Sequence, residues 1–148
     1  MSVGHRPARS EDFGFCENLY FLGMAKVIRD LKLDMDAQRS NLRASWKAAE
    51  VQIIIHDGAD IGWMQSSIRD GSLYLEQIFV DPTFQKRGMG TEIISDLIGR
   101  ATRAKRPVTL GVVKTNPALR LYQRLGFRIA AEDDRKFYMK REPHPPAD

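Results

Sequence analysis

Apolar and polar residues follow two rhythms along this chain, and the change of rhythm divides it into elements. Residues 3–8 read as a short first strand. From Ser10 and Asp12 onward, Phe13, Leu19, Phe21, Leu22, Met24, Val27 and Ile28 recur broadly at helical spacing, with Gly14 and Gly23 as expected points of interruption. Asp34 or Asp36 caps a second helix that the pattern carries to residue 50. Two apolar runs, 51–55 and 61–68, flank His56-Asp57-Gly58-Ala59-Asp60 and predict a hairpin. Asp70-Gly71 then turns the chain into a further strand over 73–80.

The second half continues in the same manner. Residues 92–100 form an amphipathic helix with Ile93, Ile94, Leu97 and Ile98 on one face, and 108–113 a buried strand. Pro117 stands at a first helical position with Thr115 or Asn116 as N-cap. Leu119, Tyr122 and Leu125 follow at helical spacing, and Gly126 ends that helix. Two strands, 127–131 and 136–140, meet at the charged turn 132–135, and 143–148 is a proline-rich flexible tail. The order predicts a mixed α/β fold in a single domain over residues 1–142, with no internal repeat.

One junction carries chemistry. Between the strand 73–80 and the helix 92–100 runs Val80-Asp81-Pro82-Thr83-Phe84-Gln85-Lys86-Arg87-Gly88-Met89-Gly90-Thr91. A strand, a glycine loop and a helix N-terminus present unpaired backbone N–H groups and the positive end of a dipole, which suits a pyrophosphate. Gly88 and Gly90 are expected to use backbone angles closed to other residues and to let phosphate oxygens approach. Taken alone, the glycine pair fits an ordinary strand-to-helix turn equally well.

A second segment, Asn116-Pro117-Ala118 followed by Leu121-Tyr122 and Leu125-Gly126-Phe127, changes that balance. With Gln85-Lys86-Arg87-Gly88-Met89-Gly90 as a Q-x-x-G-x-G loop, residues 73–127 resemble the GNAT acyl-CoA N-acyltransferases. The resemblance implies the GNAT fold: a central, mostly antiparallel twisted sheet of six to seven strands, splayed between the fourth and fifth, with about four flanking helices. It implies acetyl-CoA as cosubstrate and a primary amine as acceptor, the amine of a small molecule, an amino acid derivative or a protein. Backbone groups of Ile78, Phe79 and Val80 would pair with the pantetheine arm. The N–H groups of Lys86, Arg87, Gly88, Met89, Gly90 and Thr91, with the Arg87 charge, would hold the diphosphate, and Gln85 would brace the loop.

Direct attack of a neutral amine on the thioester needs a donor for the oxyanion, a proton for the departing thiolate and a base for the amine. A backbone N–H near Ile78 is the implied oxyanion donor. Tyr122 is the implied acid, against the alternative of a core aromatic at helical spacing. Glu76, on the strand facing the acyl site, is the candidate base, against a surface role. Asn116 is read either as a cofactor contact or as a helix cap, because many relatives place one more residue before the tyrosine. Relatives that acetylate protein N-termini often carry a glutamate where this chain has Gly111. A non-catalytic acyl-CoA sensor of the same fold is the rival function, and retention of Tyr122 favours the enzyme.

Composition adds limits. The 148 residues carry a formal net charge of +4 and one cysteine, Cys16, which excludes an internal disulfide framework and suits a reducing cytoplasm. Cys16 lies between Phe15 and Leu19 and is expected to be a buried apolar residue. The polar start lacks an apolar signal core, and no apolar run reaches membrane-spanning length, so neither export nor a membrane is expected. Lys86, Arg87, Arg100, Arg103, Lys105, Arg106, Arg120 and Arg124 suit either a solvated surface or a phosphate-bearing cosubstrate, without a nucleic-acid motif. His5, His56 and His144 are not spaced as a metal pair, so no metal is expected. Tyr20, Trp46, Trp63, Met64 and Gln65 line either an acceptor pocket or the core. Dimers are frequent in the family, and a homodimer is expected by that analogy alone.

Overall fold

The apolar rhythm becomes seven strands and four α-helices among the described residues of the computed structural model, which are 3–85 and 88–143. In chain order these are β1 (Gly4–Pro7), α1 (Phe13–Asp30), α2 (Met35–Ser45), β2 (Val51–His56), β3 (Ala59–Arg69), β4 (Ser72–Val80), α3 (Met89–Arg103), β5 (Val108–Val113), α4 (Ala118–Arg124), β6 (Arg128–Glu132) and β7 (Lys136–Arg141). Hydrogen bonding orders the strands β1-β2-β3-β4-β5-β7-β6. β1 with β2, β2 with β3, β5 with β7 and β6 with β7 pair antiparallel, whereas β4 and β5 pair parallel. That parallel ladder consists of Leu73 opposite Val108, Tyr74 opposite Thr109 and Leu75 opposite Leu110. Those three pairs are the whole of the parallel ladder between the two strands. No helix among the described residues is long and apolar enough to cross a membrane.

The described residues within 1–65 and 77–87 form one compact unit, and those within 66–76 and 88–148 form another. In the first, α1 turns the stripe Cys16, Leu19 and Tyr20 onto Leu42, Val51, Ile53 and Trp63. Burial of Cys16 pushes its thiol up to about 12, so it serves as a small apolar residue. Tyr20, Trp63, Met64 and Gln65 are buried, which assigns them to the core and not to an open pocket. In the second unit, α3 buries Met89, Ile93, Ile94, Leu97, Ile98 and Ala101 on one face. β5 alternates buried Val108, Leu110 and Val112 with half-buried neighbours.

Several boundaries differ from the sequence expectation, and three of them have a clear physical reason. α1 runs through Gly14 and Gly23 without a break. A Cβ on Gly23 would lie 2.5 Å from Cδ1 of Phe79, so the helix accepts the conformational cost of glycine to seat that ring. α2 is capped by Asp34, whose side chain accepts from the Ala37 N–H at 2.9 Å, but it ends at Ser45. There the Ser45 carbonyl accepts from buried Gln65 (2.9 Å), and Trp46 turns out to pack edge-on to Phe13. Residues Ala48–Glu50 form only a 3-10 turn. Finally, Asp57 and Gly58, at φ 51° and 75°, alone make the first hairpin turn, so β3 begins at Ala59. Asp70 and Gly71 repeat that geometry before β4.

Candidate active site

The carboxyl end of β4 belongs to the first unit and is tied down at several points. The Phe79 ring packs 5.3 Å from Tyr20 and 5.5 Å from Trp63, so its side chain is core and only its backbone can face a ligand. The Asp81 N–H donates to the Ile61 carbonyl at 2.7 Å. The Asp81 carboxylate accepts from the Thr83 N–H (2.9 Å) and opens a 3-10 turn over Pro82–Phe84. Gln85 reaches back to donate its side-chain amide to the Val80 carbonyl at 2.9 Å. Lys86 and Arg87 lie outside the described residues.

In the second unit Gly88 caps α3 in the left-handed conformation, φ 76° and ψ 3°. Its carbonyl accepts the Glu92 N–H at 3.1 Å, which starts the helical ladder. The N–H groups that precede it in the first turn have no intrahelical partner and point along the axis, where the dipole is positive. A Cβ on Gly88 would meet nothing within 4 Å, so backbone conformation, not space, is what calls for glycine. Gly90 departs from the expectation. It lies inside α3 without a positive φ, and a Cβ there would sit at an ordinary 3.5 Å from Leu121. The helix starts earlier than the apolar spacing suggested, and that shift makes Gly90 helical. Met89 is buried, leaving its N–H as the group able to meet a ligand, while Thr91 is exposed.

Asn116 caps α4: its side-chain oxygen accepts the Ala118 N–H at 2.9 Å, and its own N–H donates to Val113 (2.9 Å). Tyr122 is 7% exposed, with its ring edge-on to Phe127 at 5.6 Å. Burial disfavours the phenolate and pushes the phenol up to about 12, so Tyr122 keeps its proton at neutral pH. Its hydroxyl makes no hydrogen bond among the described residues. Glu76 is not solitary. Its Oε1 lies 2.9 Å from Nη2 of Arg69, whose guanidinium stands 4.3 Å from the Tyr74 ring centroid. Arg69 escaped the sequence reading, and the signal for it is the Asp70-Gly71 turn that folds β3 back along β4. At Gly111 a Cβ would lie 3.3 Å from the Tyr138 ring, so a glutamate there would have to displace that ring. Among the described residues no group of three His, Cys, Asp or Glu side chains is placed to hold a metal ion.

Thus the first unit brings together Ile78, Phe79, Val80 and Gln85, and the second holds Glu76, Gly88, Met89, Gly90, Thr91, Asn116 and Tyr122. Comparison with known proteins gives this arrangement a context. Residues 47–129, more than half of the chain, match the model of an acetyltransferase (GNAT) domain. The spore coat polysaccharide biosynthesis protein SpsD of Bacillus subtilis (strain 168) is 33% identical over 102 residues, 68% of this chain and 34% of that protein. The spermine/spermidine N(1)-acetyltransferase of the same organism is 33% identical over 70 residues, 45% of each. The chain therefore spans about a third of the first relative and less than half of the second. The crystal structure of the PaiA N-acetyltransferase from Thermoplasma acidophilum, in complex with coenzyme A, matches with a TM-score of 0.68 at 15% identity, over 96% of this chain and 99% of that one. That last likeness is one of fold. The chain belongs to the GNAT acetyltransferase family.

Proposed function

We propose that the protein is an acetyl-CoA-dependent N-acetyltransferase that passes the acetyl group to a primary amine by direct attack within a ternary complex. The observation that carries this is Gly88, which opens α3 in a left-handed conformation and leaves the first-turn N–H groups without intrahelical partners, the feature an anion site uses. Coenzyme A has a diphosphate to offer such a helix end. The backbone of Ile78, Phe79 and Val80 receives the pantetheine arm, and Asn116 contributes beside its capping role.

The amine lone pair attacks the thioester carbonyl carbon, and a backbone N–H near Ile78 stabilises the oxyanion. The carbon–sulfur bond then breaks, the thiolate takes the Tyr122 proton, and the phenolate recovers one from solvent. Glu76, directly or through water, removes the proton that the amine sheds. A cytoplasmic setting goes with this function, since the lone buried Cys16 suits a reducing compartment.

The test is a panel of amines with acetyl-CoA, followed by free thiol release and by mass of the acetylated product. Amine-dependent thiol release supports the enzyme. Tight acetyl-CoA binding with no product from any amine class would instead support a sensor, and no binding at all would remove both.

A further inference from the structure

We propose that Gly62 and Gly23, remote from the glycine loop, are positioning residues that set where the end of β4 presents its backbone to the acyl thioester. The inference rests on the functional reading above and deepens it. Gly62 lies on β3, and a Cβ built on it would stand 2.5 Å from the Phe79 carbonyl oxygen, 3.1 Å from Cα of Val80 and 3.4 Å from the Phe79 carbonyl carbon. These are backbone atoms, which cannot rotate aside as a side-chain tip would. Gly23 makes room for the ring of the same residue. A Cβ there would stand 2.5 Å and 2.9 Å from Cδ1 and Cε1 of the Phe79 ring.

Neither glycine has a positive φ, so neither is present for backbone freedom. Both are present for space, and the same residue fills both spaces. Phe79 is thereby drawn in by its ring and by its main chain at once, with Tyr20 and Trp63 closing over the ring. The next residues are fixed by the Asp81 N–H on Ile61 and by Gln85 on the Val80 carbonyl. By contrast, Gly4 and Gly14 have nothing within 4 Å of a built Cβ. An added methyl at residue 62 must push the Phe79–Val80 peptide away from β3, and that peptide adjoins the N–H assigned to the oxyanion. Preorganised donors lose their effect when displaced by a fraction of an ångström.

The experiment compares wild type, Gly62→Ala, Gly23→Ala and the control Gly14→Ala. Calorimetry measures acetyl-CoA and coenzyme A binding, turnover is normalised to the binding stoichiometry, and amide resonances are followed in the ligand-free protein. For Gly62→Ala the amides of residues 78–81 should move, and turnover per binding-competent molecule should fall about ten-fold or more. The ratio of the acetyl-CoA to coenzyme A dissociation constants should change by about three-fold or more. Mere destabilisation would lower the stoichiometry and leave that ratio unchanged. Should Gly62→Ala not fold, Gly23→Ala supplies the same readouts through the ring. A folded variant at residue 62 or 23 with unmoved amides and full turnover would overturn the inference even where wild type binds acetyl-CoA. Wild type that binds neither thioester nor thiol would defeat the functional reading itself, a separate result.

Discussion

Gln85 donates its side-chain amide to the carbonyl oxygen of Val80 at 2.9 Å, tying the start of the glycine loop to the strand it has just left. If this loop holds the diphosphate, it gains from such a tie, because each residue already ordered lowers the entropy lost on binding. Gln85→Glu replaces the donor with a second acceptor facing a carbonyl. The expected outcome is about ten-fold weaker coenzyme A binding by calorimetry. The melting temperature should barely change, since the side chain is exposed. Unchanged affinity would separate the hydrogen bond from cofactor binding.

Gly88 and Gly90 stand two residues apart yet should answer differently to alanine. Gly88→Ala forces a side chain into φ 76° and should cost about 1–2 kcal/mol of stability in urea unfolding. Gly90→Ala meets only Leu121 at 3.5 Å inside a helix and should leave stability unchanged or slightly raised. If phosphate oxygens approach the first turn of α3, Gly90→Ala still weakens coenzyme A binding. Retained affinity in that stable variant would move the diphosphate elsewhere.

Tyr122 makes a prediction in two parts. If Tyr122 is the proton donor to the thiolate, Tyr122→Phe should lower kcat by about ten- to a hundred-fold with acetyl-CoA affinity little changed. It should also alter the alkaline limb of stability. Burial raises the phenol from its ordinary 10 to about 12, so between those values the folded state holds a proton that the unfolded chain has lost. Stability is therefore complete below pH 10 and falls as pH rises toward 12, by up to about 1.4 kcal/mol per pH unit from this group. Cys16, raised from 9 to about 12 by burial, adds a slope of the same sign beginning lower. Urea midpoints at several alkaline pH values should fall less steeply in Tyr122→Phe than in wild type.

Arg69 and Glu76 can be tested as a pair. Both side chains reach solvent, at 51% and 20% exposure, so their ion pair contributes at most about 1 kcal/mol to stability. Glu76→Gln should nonetheless lower kcat by about ten-fold or more if the carboxylate accepts the amine proton. Arg69→Met, which keeps an aliphatic stem over Tyr74, should lower kcat less than Glu76→Gln does, without abolishing turnover. Equal, small effects on turnover from both would return the pair to a structural role.

Local rules were sufficient for much of this chain. β5 occupies 108–113 as expected, because strict alternation of Val108, Leu110 and Val112 leaves no competing reading. The turns at Asp57-Gly58 and Asp70-Gly71 need only two residues able to adopt positive φ. The glycine loop and the Asn116-to-Phe127 segment were legible because their chemistry is contiguous in the chain, and they identified the family. Tertiary structure alone decided what depends on residues far apart. Gly23 reads as a helix break in the sequence, whereas in the fold the Phe79 ring lies against it, and α2 stops where Gln65 takes the Ser45 carbonyl. Glu76 acquires Arg69, and Tyr122 its raised phenol, only through folding. Propensity and pattern act over a few residues, whereas burial and contact are set by whichever distant segment the packed chain brings near.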